Sequence, residues 1–226
     1  MSKPIRIGIV DSGVYVDHPH VGGIAGGVTV EAEACTEGFL DCLGHGTAIA
    51  SLIHALAPDA ALWAVRVFDR GLATSMRRVV RAIDWCIEND IHIVNLSLGT
   101  VNSDHGPALA AAVERIRVAG AALVSAFEIN GQPMLPGCMP GVIGVIADPD
   151  CPRGEYHTIA RNGKSIFSAS PYPLEIPGVR REHNLNGVSF AVAHISAYLA
   201  QMRATHGSDA GWEELLMNGA CSTAPV

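Results

Sequence analysis

The sequence predicts an α/β protein in three layers, with a mostly parallel sheet flanked by helices. Two observations predict it: five short, predominantly apolar runs of strand length, and amphipathic helical patterns set between them. Runs of that kind are buried on both faces in parallel sheets, where the intervening helices form the crossovers. Functional side chains in such folds collect at the carboxyl ends of the strands.

The first run, IRIGIV at 5–10, ends at Asp11, where Ser12 and Gly13 turn the chain. DCLGHGTAIASLIHALAP then predicts an apolar helix beginning near Thr47, followed by the second run, ALWAVRV at 61–67. In TSMRRVVRAIDWCIEND, Met76, Val79, Val80, Ile83 and Ile87 share one helical face. Arg77, Arg78 and Arg81 on the same helix read as a solvated surface. The third run is IHIVNLSL at 91–98. GPALAAAVERIRVAG sets Leu109, Ala112, Val113 and Ile116 on one side, with Pro107 in its first turn and Gly120 past its end, as helix boundaries prefer. AALVSA at 121–126 and VIGVIA at 142–147 complete the set of runs. Residues 148 to 164 are polar and rich in turn formers, which predicts a surface excursion and not a domain linker. LNGVSFAVAHISAYLAQMRATH is apolar on most sides and predicts a buried helix. A last short helix, capped by Ser208 or Asp209, packs through Trp212, Leu215 and Leu216.

A chain of 226 residues with 49% hydrophobic content suffices for one sizeable core, so a single domain over 1–226 is expected. No apolar run approaches the roughly 20 residues of a membrane-spanning helix. The net charge of -7 argues against a nucleic-acid surface. The amino-terminal MSKPIRIGIVDSG enters a strand at once, without the apolar segment and cleavage site of a secretory signal, which predicts a cytoplasmic protein. Six cysteines without a CxxC pair are expected as free thiols, with a Cys35 to Cys42 bridge left open.

Three residues have the chemistry of nucleophilic catalysis. Ser189 begins the long helix just after Gly187, beside the unpaired N–H groups and partial positive charge of a helix start. A hydroxyl there is placed to attack a carbonyl whose oxyanion those donors stabilise, although a serine at that position also serves as a helix cap. Such a nucleophile needs a base, and the base a group that fixes its tautomer. His45, between Gly44 and Gly46, offers an imidazole open to close approach, although a lone histidine is more often a structural or surface residue. Asp11 offers a carboxylate at the end of a strand, where an aspartate is also an ordinary turn residue.

Taken together, VDSGVYVDHP around Asp11, DCLGHGTAIAS around His45 and NGVSFAVAH around Ser189 resemble the subtilisin-like serine proteases, in that family's order of Asp, His and Ser. APDAALWAVRVFD, IVNLSLG and PGCMPGVIGV extend the resemblance over nearly the whole chain. It implies a subtilisin-like peptidase fold, with Ser189 as nucleophile, His45 as general acid and base, and Asp11 as the orienting carboxylate. It also implies that Ser97, Leu98 and Gly99 line the groove for extended substrate.

The departures bear on activity. The family's oxyanion-hole asparagine falls on Ile129 when counted without a gap from Gly120, and Asn130 stands one residue later as the candidate donor. Phe127 and Glu128 replace small residues near the first specificity pocket, and Val188 and Ala193 replace the usual threonine and proline beside the serine. His194 matches a family position with a packing role. The GGIAGG run follows no clear strand, which disfavours phosphate binding. Asp17, His18 and His20 resemble the ordinary loop after the family's aspartate and are not assigned a metal. The implied activity is that of a serine endopeptidase without a cofactor, acting on a peptide or protein precursor and not on nucleic acid or membrane. Without a recognisable inhibitory prosegment, narrow selectivity for one precursor or leader is expected; a peptide-binding relative without turnover is the alternative.

Overall fold

The computed structural model describes residues 3–161, 163–207, 210–219 and the backbone of 222–223. In chain order the elements begin with β1 (Arg6–Asp11), β2 (Gly26–Val30), β3 (Cys35–Thr36), α1 (His45–Leu56), β4 (Ala61–Arg66) and α2 (Met76–Glu88). There follow β5 (Ile93–Leu96), α3 (Gly106–Val118), β6 (Ala122–Ala126), β7 (Glu128–Ile129), β8 (Gln132–Pro133) and β9 (Ile143–Ala147). The chain closes with β10 (Tyr156–Arg161), β11 (Lys164–Ala169), α4 (Val188–His206), α5 (Trp212–Gly219) and β12 (Ser222–Thr223). Ten strands form one sheet in the order β12-β10-β11-β9-β6-β5-β1-β4-β2-β3, while β7 and β8 form a separate hairpin. The sheet is parallel from β2 through β9 to β11, and among the described residues it is antiparallel only at β10–β11 and β2–β3.

Alternation along the central strands divides the interior into two cores. Ile7 and Ile9 of β1, Ile93 of β5 and Val124 of β6 face α1 and α4. Val10, Val94, Leu96 and Leu123 face α2 and α3. This is the three-layer arrangement predicted from the apolar runs. Gly8 lets α2 approach β1, since a Cβ there would lie 3.0 Å from Cys86 Sγ. All eleven residues from Phe190 to Ala200 in α4 are buried, as the even distribution of apolar groups around that helix requires. Among the described residues, no helix is long and apolar enough to cross a membrane.

Two readings of the sequence, those of residues 148 to 164 and of the basic cluster, need correction. Residues 148 to 164 do not all form a surface excursion, because β10 begins at Tyr156. Tyr156 is buried, stacks on Tyr198 at 5.2 Å and donates its hydroxyl to the Leu216 carbonyl at 2.8 Å. The second half of the GGIAGG run opens β2, where a Cβ on Gly26 would meet the Trp63 ring and one on Gly27 the Ala64 carbonyl oxygen. Cys35 and Cys42 carry separate free thiols, as expected. Arg78 is largely covered and pairs with Asp69 and Glu31, so this part of the basic cluster is neutralised and not simply solvated. The expected caps of the last helix, Ser208 and Asp209, lie outside the described residues, as does Cys221.

Candidate active site

Asp11 ends β1 between β4 and β5 and is fully buried. Its Oδ1 accepts hydrogen bonds from the Ser12 amide at 2.7 Å and from His45 Nδ1 at 2.8 Å. Its Oδ2 is buried without a hydrogen-bond partner among the described residues. The carboxylate accepts only, so Nδ1 holds the ring proton and Nε2 keeps its lone pair. That is the tautomer a general base needs.

The local sequence explains why His45 arrives there. Gly44 adopts a left-handed conformation at φ 83°, and His45 is the first residue of α1. Gly46 allows the helix to dock against the turn after β1: a Cβ would lie 2.2 Å from the Gly13 carbonyl oxygen. The Gly46 amide donates to Ser12 Oγ at 2.9 Å. Asp41 holds the helix start from the other side. Its Oδ1 accepts from the Leu43 and Gly44 amides at 2.8 and 2.9 Å, and its Oδ2 from the Thr47 amide and hydroxyl at 2.9 and 2.6 Å. The Thr47 hydroxyl in turn accepts from the Tyr15 amide at 3.0 Å.

These charges set the protonation behaviour. Burial alone would lower the His45 pKa, but the Asp11 hydrogen bond and charge, together with the charge of Asp41, raise it above its ordinary value. Burial would raise the Asp41 pKa, yet its bonds to Thr47, Leu43 and Gly44 hold it below the usual carboxylate range.

Ser189 occupies the first turn of α4, and the ring of the following residue, Phe190, lies 5.7 Å from the His45 ring. The Ser189 hydroxyl donates to the Ser97 carbonyl at 3.3 Å, its one hydrogen bond among the described residues. Asn95, fully buried on β5, joins strand and helix: its amide donates to Ser97 Oγ at 2.8 Å and its carbonyl accepts from Ser196 Oγ at 3.0 Å. Sequence reasoning missed Asp41, Asn95 and Ser196. Of these, only Asp41 had a local signal, an aspartate just ahead of a glycine-led helix start.

Ser97, Leu98 and Gly99 continue beyond β5 and become progressively exposed. A Cβ at Gly99 would lie 3.0 Å from the Leu135 carbonyl oxygen, and Thr100 and Leu135 exchange backbone hydrogen bonds of 2.9 and 2.8 Å. Beside them lies a cavity of about 210 Å³ whose lining includes Phe68, Leu98, Gly99, Leu109 and Leu135.

Asn130 sits at the exposed tip of the β7–β8 hairpin with φ 52°, followed by Gly131 at 77°. Asn-Gly with two positive φ values is the preferred two-residue hairpin turn, so the Asn130 backbone has a structural use of its own. Glu128 Oε2 accepts from Arg161 Nη1 at 2.6 Å. His194 is fully buried with Nε2 3.3 Å from the Tyr172 carbonyl oxygen, and burial lowers its pKa to about 4, which keeps it neutral. His18 and His20 meet edge to face at 5.3 Å on the surface loop.

A model of the subtilase family matches residues 2–223. The thermostable alkaline protease of Halalkalibacterium halodurans is 32% identical over 225 residues, which cover 90% of this chain and 58% of that protein. The minor extracellular protease Epr of Bacillus subtilis is 30% identical over 89% of this chain and 32% of its own length. The chain thus spans under two thirds of both relatives. Among solved structures, a cold-adapted subtilisin-like serine proteinase superposes with a TM-score of 0.70 at 20% identity, covering 93% of this chain and 79% of that one. A lanthipeptide protease gives 0.71 at 16% identity over 93% and 77%, and the prenylagaramide maturation protease PagA 0.68 at 22% over 94% and 81%.

Proposed function

Since the chain belongs to the subtilase family, we propose that it is a serine endopeptidase that cleaves a precursor peptide through an acyl-enzyme. The observation that carries this reading is the Asp11–His45 bond of 2.8 Å, with the imidazole packed against the first turn of the Ser189 helix. In the reaction, Ser189 Oγ leaves the Ser97 carbonyl by rotation about χ1 and attacks the scissile carbonyl carbon as His45 Nε2 takes its proton. Asp11 stabilises the imidazolium without accepting the proton. His45 then protonates the leaving amine, and water hydrolyses the ester by the same steps in reverse. In this reading the backbone amides at the start of α4 stabilise the developing oxyanion, with Asn130 as the candidate side-chain donor.

The substrate strand lies along Ser97, Leu98 and Gly99, and an apolar side chain fills the adjoining 210 Å³ cavity. Similarity to proteases named for lanthipeptide and prenylagaramide processing supports a precursor as substrate. Among subtilases, the sequence also resembles the processing protease of quinohaemoprotein amine dehydrogenase biogenesis, which removes a leader from a crosslinked small subunit. Free thiols at Cys35, Cys42, Cys86 and Cys138 suit a reducing cytoplasm.

A fluorophosphonate probe tests the reading. The folded protein should label covalently and the Ser189→Ala variant should not; absence of labelling in the folded wild type overturns it. The second reading, a peptide-binding relative without turnover, is favoured by one observation: the Ser189 hydroxyl bonds to Ser97 and not to His45. It predicts no labelling but retained binding of an extended peptide.

A further inference from the structure

The loop after β9 and the start of β10 bring together three metal-ligating side chains that the proposed catalytic steps do not use. Asp148, Cys151 and His157 each offer one ligand atom, and these atoms all lie within 4.8 Å of one another. Asp148 Oδ2 and His157 Nδ1 are 3.5 Å apart, and Nδ1 is buried without a hydrogen-bond partner among the described residues. The gap is long for a hydrogen bond. It suits two ligands of one tetrahedral zinc ion, which at about 2.0–2.1 Å from the metal stand roughly 3.4 Å apart.

The backbone already holds the three groups in place. The Asp148 amide donates to the Ala169 carbonyl at 2.9 Å, and the Cys151 amide to the Asp148 carbonyl at 3.2 Å. Asp148 Oδ1 accepts from the Asp150 amide at 3.0 Å, which leaves Oδ2 turned toward the imidazole. Cys151 is only 1% exposed, with Sγ 3.4 Å from the Glu155 carbonyl oxygen. Ser168 stands opposite His157 in the β10–β11 ladder, on the same face, and its buried hydroxyl also has no hydrogen-bond partner among the described residues. Polar groups thus converge on one point at the sheet margin.

We propose that Asp148, Cys151 and His157 bind one zinc-class divalent ion, which clips the β9–β10 loop to the β10–β11 hairpin. A thiolate and an imidazole select a borderline-soft ion over calcium or magnesium, which take oxygen ligands. On binding, Cys151 releases its thiol proton to solvent and coordinates through the thiolate. His157 coordinates as neutral imidazole through Nδ1, with its proton on Nε2, and Asp148 through Oδ2. Two anionic ligands balance the dication, and water takes the fourth position.

The test uses the full chain, stripped with a chelator and then titrated with Zn²⁺ against a coloured competitor, and separately with Co²⁺. One equivalent should bind, and the cobalt form should show a thiolate-to-metal charge-transfer band. Cys151→Ser should abolish that band. His157→Ala should lower zinc affinity by more than the roughly 10–100-fold that loss of an outer-shell partner costs. Asp148→Asn keeps an acceptor for the Asp150 amide and carries the test should Cys151→Ser fail to fold, as judged by circular dichroism. Lack of stoichiometric binding by the wild type, lack of the charge-transfer band, or affinity unchanged in the folded variants overturns the proposal. Binding that survives all three substitutions belongs to other histidines, such as His18 and His20, and overturns it equally.

Discussion

Ser196 on α4 donates to the buried side chain of Asn95 on β5 at 3.0 Å, while Asn95 also holds Ser97, whose carbonyl accepts from Ser189. One amide therefore aligns the serine's helix with the strand that leads to the proposed substrate groove. Asn95→Ala leaves two hydroxyls to find new partners and should destabilise the fold by about 1–3 kcal/mol. Chemical denaturation measures this, and a double-mutant cycle with Ser196→Ala should show coupling of roughly 0.5–3 kcal/mol. Additive effects would mean that the two side chains do not communicate.

Asp11→Asn preserves shape but presents an amide donor to Nδ1, which favours the wrong imidazole tautomer. The labelling rate of Ser189 should fall on the order of 10,000-fold with little change in fold. A loss under tenfold would remove Asp11 from the proposed triad.

A base must be neutral to take a proton, so activity should rise with pH through the His45 titration, at a midpoint above the ordinary histidine value. Asp41→Asn removes one of the charges that raise that pKa and should move the midpoint down. The stability contribution has the matching sign. A raised folded-state pKa favours the protonated ring, so the contribution is full below the unfolded pKa and fades as pH rises through the folded one. A pH profile of probe labelling in both proteins, fitted for its acid limb, decides the point.

Asp41→Ala should also cost about 0.5–2 kcal/mol, as loss of a side chain that satisfies helix-start amides does. Because the folded-state pKa of Asp41 lies below its usual value, its stabilisation is present above the unfolded pKa and is lost as pH falls through the folded one. The difference in stability between wild type and variant should therefore shrink in acid, which unfolding curves at a series of pH values will show.

Asn130→Asp keeps a residue suited to the left-handed turn but removes the amide donor. Loss of an oxyanion donor costs on the order of 100- to 1000-fold in rate. A drop of that size in peptide or ester hydrolysis assigns the donor to Asn130; an unchanged rate leaves stabilisation to backbone amides alone.

The parallel core was legible because IRIGIV, ALWAVRV and IHIVNLSL are predominantly apolar and do not alternate with polar residues as half-exposed strands do. The β10 strand was not, because only Tyr156 and Thr158 in YHTIAR are buried and the turn-rich, polar DPDCPRGE before it resembles a loop. In β2, glycines mark close contact with Trp63 and Ala64, a reason invisible without the neighbouring strand. The candidate site divides the same way. Asp11 and His45 stand out through the local motifs around them, whereas Asn95 acts through Ser196, 101 positions away in the chain, and no local pattern announces such a partner.

Burial of every residue from Phe190 to Ala200 means that the mount of the hydroxyl and the interior of the protein are one object. A substitution that loosens one must loosen the other. Thermal loss of labelling and loss of tertiary structure should accordingly coincide in a single transition, with no active but partly melted form between them.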